Sequence, residues 1–376
     1  MNAAQLDTSL LVYEAGVDLR RSYAARSHVF GLADALERHW QGPFRVLVPA
    51  FGEFVDHPDS AMVCEVPVGA CRLGGFMRYE VEKLRCLWKW RHEQRSLTLL
   101  TRFSLINVGA LAARVLGARV VLEVNGLPHH ELRLRGGLAA WAWPALISLW
   151  AQAKVSHAVV SVSQGIADSL ECLGVSSAVI PNGVDPGEFE LCGPKETGTG
   201  HVLYVGSLAP WQDVELLVHA VHRLVAEGGQ PWRLTIVGDG ERLDAVRDLS
   251  RSLGLERVVE FTGALDRAAV RQWLDRASVC VVPRAPDAPP GSPLKLFEYL
   301  AANRPTVIAG LDGMAPVSTP LLIDYRPGDV ESLARAITTA DDVSSLRAQE
   351  ITRLRARIGW DERAQRVIGV LSEAGR

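Results

Sequence analysis

The chain has 376 residues, 48% of them hydrophobic and 22% charged, a globular composition long enough for two domains. A formal net charge of −3 supplies no overall attraction to nucleic acid, and no nucleic-acid partner is expected. The six cysteines are scattered without a C-x-x-C pair, which fits free thiols in a reducing cytoplasm better than a disulfide framework or a zinc site. The first residues, "MNAAQLDTSLLVYEAG", lack a basic stretch and carry Asp7, so no secretory signal is read there.

In chain order, short apolar and β-branched runs alternate with helical patterns. The first half offers strands at "SLLVY" (9–13), "FRVLVP" (44–49), "AMVCEVP" (61–67), "LTLL" (97–100), "RVVLEV" (119–124) and "HAVVSVS" (157–163). Between the first two lies "HVFGLADALERHW", with Val29, Leu32, Ala33, Leu36 and Trp40 on one helical stripe. The segment "FMRYEVEKLRCLWKWRHEQR" (76–95) mixes six cations with Phe76, Trp88 and Trp90. It reads either as an ordinary amphipathic helix with core aromatics or as an interfacial helix giving peripheral membrane contact. The uncharged run 136–153 includes Pro144, Ser148 and Gln152 and falls short of a membrane span.

After a polar, glycine-rich segment at 190–201, read as a linker, the series resumes. Strands are expected at "HVLYVG" (201–206), "RLTIVG" (233–238), "RVVEFTG" (257–263), "SVCVVP" (278–283) and "TVIAG" (306–310). The helix "DVELLVHAVHRLVAEGG" is closed by two glycines. Such alternation means two α/β domains, each a doubly wound parallel sheet of Rossmann type, with the site in the cleft that they face. The expected division is 1–185 and 200–357, with a final helix over 360–376.

The strand ends of the second half carry the chemistry. Gly206-Ser207 and Gly238 offer open backbone beside a ligand. "IVGDGERL" is no dinucleotide fingerprint, because Leu243 stands where the third glycine belongs. The strand over 278–283 runs through "RAPDAPPGSPLK" into an apolar helix, with Ser292 as expected N-cap and Pro293 as first helical residue. Lys295 is the misfit, since a cation near a helix N-terminus opposes the macrodipole. Either it pairs with Glu298 one turn on, or it faces an anion held by the free N–H groups of that turn. Arg284 on the same connection favours the anion, a phosphate.

From about 155 to 310 the sequence resembles the retaining GT-B glycosyltransferases of family 4 in a "SPLK" variant. The segments are "VSHAVVSVSQGIADSLECLGV", "VIPNGVDPGEF", "LYVGSL", "LTIVGDGERLDAVRDLSRSLGL", "VEFTGALDRAAVRQWLDRASVCVVPR" and "SPLKLFEYLAANRPTVIAG". The resemblance implies that residues 200–357 bind a nucleotide-diphosphate sugar, expected to be a UDP-sugar, and that residues 1–185 bind the acceptor. It assigns the distal phosphate to the N–H groups of Leu294 and Lys295, the ribose to Glu298, and the base to the stretch Gly263, Ala264, Leu265. It makes Asn303 a left-handed C-cap in place of glycine. It places Asn125 where many relatives have a histidine beside the donor sugar; an asparagine can position but not titrate.

Three positions depart from the family. Pro290 replaces the first glutamate of its Glu-x7-Glu motif, and Ser207 and Gln212 replace a basic pair that clamps the diphosphate. Lys295 and Arg284 are the expected replacement counter-charges, and no D-x-D metal motif is present, so no metal and no cofactor are expected. Lys295, Asn125 and Arg284 are the candidate catalytic residues, and Arg20, Arg21, Tyr23, His28 and His130 the candidate acceptor contacts. His129, His130 and Glu131 are adjacent in sequence and unsuited to converge on one ion. The implied activity moves a hexosyl or N-acetylhexosaminyl group to a glycan, lipid-linked or small-molecule hydroxyl, with retention and without a protein nucleophile. The chain is expected in the cytoplasm or at the inner membrane face. Alternatives are a non-catalytic partner subunit or a nucleotide-sugar epimerase. The final helix is expected to pack back on the first domain.

Overall fold

The computed structural model describes residues 9–17, 19, 23–50, 63–67, 72–94, 96–127, 129–130, 132, 140–189, 199–310 and 317–374. Two compact units emerge. One comprises Met1–Gly183, Pro290–Ser292 and Trp360–Arg376; the other comprises Val184–Pro289 and Pro293–Gly359. The expected linker residues 190–198 lie outside the described residues.

In the first unit, β1 (Leu10–Glu14), α1 (Tyr23–His39), β2 (Phe44–Ala50), β3 (Val63–Pro67), α2 (Arg72–Glu93) and β4 (Leu97–Arg102) come first. They are followed by α3 (Val108–Val115), β5 (Arg119–Val124), α4 (Ala142–Val155), β6 (Ala158–Ser161), α5 (Gln164–Glu171) and β7 (Ala178–Val179). The sheet is parallel, in the order β3-β2-β1-β4-β5-β6-β7. Its inner strands are buried on both faces, which is why they read as apolar runs rather than alternating ones. Helices α2, α3 and α4 lie side by side over one face. The stripe Val29, Leu32, Ala33, Leu36 and Trp40 of α1 is buried.

The last helix of the chain, α12 (Trp360–Glu373), belongs to this unit and packs along α1. A β-carbon on Gly31 of α1 would collide with the Trp360 indole, and one on Gly183 would lie 3.0 Å from it. Those two glycines are therefore the seat of the tryptophan.

The second unit contains β8 (Gly200–Val205), α6 (Val214–Glu227), β9 (Trp232–Val237), α7 (Leu243–Ser252), β10 (Val259–Gly263) and α8 (Arg267–Arg276). Then come β11 (Val279–Val282), α9 (Leu294–Ala301), β12 (Thr306–Ala309), β13 (Leu322–Tyr325), α10 (Val330–Asp342) and α11 (Ala348–Ile358). The parallel order is β10-β9-β8-β11-β12-β13. The strand order reverses beside β8 and β11, and the crevice at the carboxyl ends of two such strands is where doubly wound sheets bind ligands.

Every strand foreseen in the sequence forms, with ends shifted by two residues or fewer. Two edge strands were not foreseen: β7 has two residues, and β13, "LIDY", carries an aspartate. Asn303 has the left-handed conformation expected of it, with φ 60°. The N–H of Arg304 bonds the Tyr299 carbonyl and the N–H of Asn303 bonds that of Leu300, both at 3.0 Å. This is the paired Schellman closure of a helix.

Candidate functional site

In the second unit the loops after β8, β9 and β11 converge. Gly206 leaves β8 with φ 147°, a conformation that only glycine adopts without strain, and its N–H bonds the Val237 carbonyl at 2.9 Å. Gly238, with φ 139°, faces the Gly206 carbonyl so closely that any side chain would collide with it. Ser207 is exposed, and its carbonyl accepts the Tyr204 hydroxyl at 2.6 Å. Gly263 ends β10 in a left-handed conformation, followed by exposed Ala264 and half-buried Leu265.

Lys295 enters this group from the first turn of α9. Its Nζ donates to the Tyr204 hydroxyl at 3.2 Å and to Gln212 Oε1 at 3.0 Å, and lies 4.3 Å from the Tyr204 ring centre. A β-carbon on Gly206 would sit 2.5 Å from that Nζ, so the ammonium lies directly beneath the glycine turn. The expected alternative, an ion pair with Glu298, is not what forms. Burial pushes the Lys295 ammonium down to about 7, helped by Arg284 and opposed by Glu298. Burial also raises the Glu298 carboxyl, against the pull of Arg267 and Lys295. The Tyr299 hydroxyl accepts the Val205 N–H at 2.8 Å, tying α9 to the end of β8.

Arg284 follows β11. Its backbone N–H donates to the Tyr325 hydroxyl at 2.9 Å and its guanidinium to the Pro289 carbonyl at 2.7 Å. Burial lowers its affinity for a proton. Arg284 and Lys295 are thus close enough to repel, and Leu294 and Lys295 present the first N–H groups of α9 beside them.

Ser292 requires a correction. It does not cap α9; Pro293 occupies the cap position without a side-chain bond. The Ser292 hydroxyl accepts the Asn182 N–H at 3.0 Å, and its carbonyl accepts Asn182 Nδ2 at 2.7 Å. The hydroxyl is turned to Asn182 instead of to the helix. Pro290 also has a packing role, since a β-carbon on Gly165 would lie 2.9 Å from it.

In the first unit, Asn125 follows β5, and both polar atoms of its amide are buried without a partner. An orphaned amide at a strand end is costly unless something binds it. His130 is half-buried and stands edge-on to His129, ring centres 4.5 Å apart. His28, expected as an acceptor contact, is 3% exposed, an interior residue. Its Nε2 lies 3.2 Å from Glu123 Oε1, and burial pushes its proton affinity down to about 4, outweighing the pull of Glu123. Arg20, Arg21 and Glu131, and the side chain of Tyr23, lie outside the described residues. No group of three or more metal-binding side chains occurs among the described residues.

Sequence reasoning missed two buried carboxylates of this unit. Glu14 ends β1 and accepts Tyr79 at 2.7 Å and Thr101 at 2.5 Å, with Lys83 Nζ at 3.5 Å. Glu123 is the penultimate residue of β5, bonded by His28, Tyr13 and Arg363 of α12. Burial opposes its ionisation, but His28, Arg363 and Arg102 outweigh it and hold the carboxyl well below the usual range. The available signal was a lone acidic residue at or next to the carboxyl end of each of these apolar runs.

Residues 25–188 match the family described as Glycosyltransferase Family 4, and residues 199–340 match Glycosyl transferases group 1. Each half of the chain thus matches a glycosyltransferase family, and the fold is GT-B. Its fold is that of sucrose-phosphate synthase from Thermosynechococcus elongatus, at TM-score 0.72 and 15% identity over 97% of this chain and 98% of that one. It is equally that of Anabaena HepE, solved with UDP and glucose, at TM-score 0.66 and 17% identity over 96% and 99%. Among curated proteins, an exopolysaccharide phosphotransferase of Streptomyces coelicolor is 31% identical over 222 residues, 56% of this chain. An uncharacterized glycosyltransferase of Methanocaldococcus jannaschii is 26% identical over 151 residues, 37% of this chain. The matches span only 21% and 37% of the length of those two relatives. Gln212, read in the sequence as the replacement of a clamping cation, is the residue that receives the Lys295 ammonium.

Proposed function

We propose that the chain transfers a hexosyl or N-acetylhexosaminyl group from a nucleotide-diphosphate sugar to an acceptor hydroxyl, with retention of configuration. The observation that carries this reading is Lys295 beneath Gly206 and against Gln212, at the switch point of the second sheet. The diphosphate of the donor gains negative charge as the glycosidic bond breaks. Lys295, Arg284 and the first N–H groups of α9 are preorganised to receive it, which is where transition-state stabilisation is largest. Glu298 serves the ribose hydroxyls and the Gly263–Leu265 turn the base. Asn125, whose amide is orphaned in the free protein, orients the transferred sugar. In retention without a protein nucleophile, the leaving diphosphate takes the acceptor proton on the same face, and the protein contributes position and charge. Metal is not required in this scheme. The donor is a UDP-sugar, as in the Anabaena protein solved with UDP-glucose.

The test is calorimetric titration with UDP-, GDP-, ADP- and dTDP-sugars without added metal. One nucleotide is expected to bind, and Lys295→Ala to weaken it at least tenfold, as loss of a charge-assisted bond of about 1.5–3 kcal/mol implies. Unchanged binding by Lys295→Ala would remove the counter-charge role. Absence of binding by any nucleotide sugar would favour the partner-subunit reading, for which Pro290 in place of a sugar-contacting glutamate is the specific observation.

A further inference from the structure

Hydrophobic side chains are exposed on one face of the first unit to a degree found nowhere else among the described residues. Twelve of the thirteen large hydrophobics that are exposed lie on α2, α3, α4 or the turns leading into α3 and α4; Val225 is the exception. Four are tryptophan or isoleucine on α4 and its approach: Trp141, Trp143, Ile147 and Trp150. Trp88 on α2 is 57% exposed and Val115 on α3 78%. The three helices are neighbours over the same sheet face, so these side chains form one surface. A contiguous apolar patch of this kind on a soluble unit marks a place of contact.

The charges around it say what it contacts. Helices α3 and α4 contain no acidic residue, and each ends in a cation, Arg114 and Lys154. On α2 the 100° spacing puts Arg78, Arg85 and Lys89 along one flank of the Met77–Val81–Trp88 stripe, with Glu82 and Glu93 further round the helix. Glu82 lies 2.5 Å from Arg85 and Glu93 3.8 Å from Lys89, which reduces the net positive charge without cancelling it. Tryptophan prefers the headgroup level of a bilayer, where its ring is in the apolar layer and its N–H meets water. A second copy docked on the same face by two-fold symmetry would oppose cation to cation. An anionic bilayer complements both features.

We propose that the outer face of α2, α3 and α4 is a docking surface for anionic lipid bilayers, seating its tryptophans among the headgroups. The proposal does not depend on the donor or acceptor of the transferase reading. No helix among the described residues is long and apolar enough to cross a membrane, so the contact is interfacial.

Flotation of the full chain with vesicles of equal parts phosphatidylglycerol and phosphatidylcholine tests it. The protein is expected to float with these vesicles at low salt, to be released by salt, and to remain behind with phosphatidylcholine alone. Arg85→Gln and Lys89→Gln should each weaken partitioning about fivefold. Trp88→Ser, Trp143→Ser and Trp150→Ser combined should abolish it while leaving helicity and nucleotide-sugar binding intact. Failure of the wild-type chain to float at low salt would overturn the proposal. So would a wild-type dimer in light scattering that the tryptophan substitutions convert to monomer, because the face would then be a protein interface.

Discussion

At the scale of single residues, two titrating groups give opposite pH signatures. Lys295 is held near 7 by burial in the free protein, and a bound diphosphate restores its charge. Donor binding therefore takes up a proton above that pH. Affinity for a nucleotide-diphosphate sugar should be level in mild acid and fall by up to about tenfold per pH unit in mild alkali. Titration calorimetry across this range reads it, and Lys295→Arg should flatten the profile, because a guanidinium keeps its proton. His28 works at the other end. Its folded value of about 4 lies below the unfolded 6.5, so the unfolded chain alone takes up a proton between them. Stability is lost as pH falls through that window, by at most about 1.4 kcal/mol per pH unit. Urea titrations of His28→Gln should show a shallower loss there. Below it Glu123, whose folded value is depressed, continues the loss as it is protonated.

At the scale of elements, the ends of α9 decide how the proposed donor site is built. The Asn303 amide also clasps Leu346, accepting its N–H at 2.9 Å and donating to its carbonyl at 3.1 Å. Asn303→Ala loses both bonds and puts a β-branchless but chiral residue at positive φ; a cost of about 2–4 kcal/mol is expected from the sum of these effects. Asn303→Gly should cost less, since only the bonds are lost; thermal denaturation of the pair separates the two contributions. Much of this was legible in the sequence. Apolar runs located the strands because both faces of each parallel sheet are covered. Lys295 stood out as the one cation in an apolar first turn. What was illegible depends on distance along the chain: the Ser292 hydroxyl is claimed by Asn182, 110 residues away, and Glu123 by Arg363, 240 residues away. Local pattern assigns a serine before a helix to its cap, and only the tertiary fold can reassign it. Gln212 was read as a lost cation, and its place as acceptor for a cation from another element was likewise invisible.

At the scale of the whole molecule, the first unit is completed by the far end of the chain. Trp360 is 4% exposed on its two glycines, and Arg363 neutralises a buried carboxylate. Trp360→Ala should cost about 3–5 kcal/mol, the usual range for a buried tryptophan. In urea, the transition of the first unit should move to lower denaturant while that of the second holds its midpoint. Equal movement of both transitions would mean that α12 does not act on the first unit alone. Arg363→Ala should have a similar cost, because it removes the guanidinium bonded to the buried Glu123 carboxylate.

The position of α12 in the chain also sets a timetable during translation. A ribosome releases the sheet of the first unit early but delivers Trp360 only after the 176 residues from Val184 to Gly359, nearly all of them the second unit. At elongation rates of about 5–20 residues per second that wait is roughly 10–35 seconds. Throughout it the Gly31 groove is vacant and Glu123 lacks its arginine. The second unit can finish while still tethered; the first, although made earlier, is the last to mature, and a nascent chain stalled before Trp360 should be the form that chaperones retain.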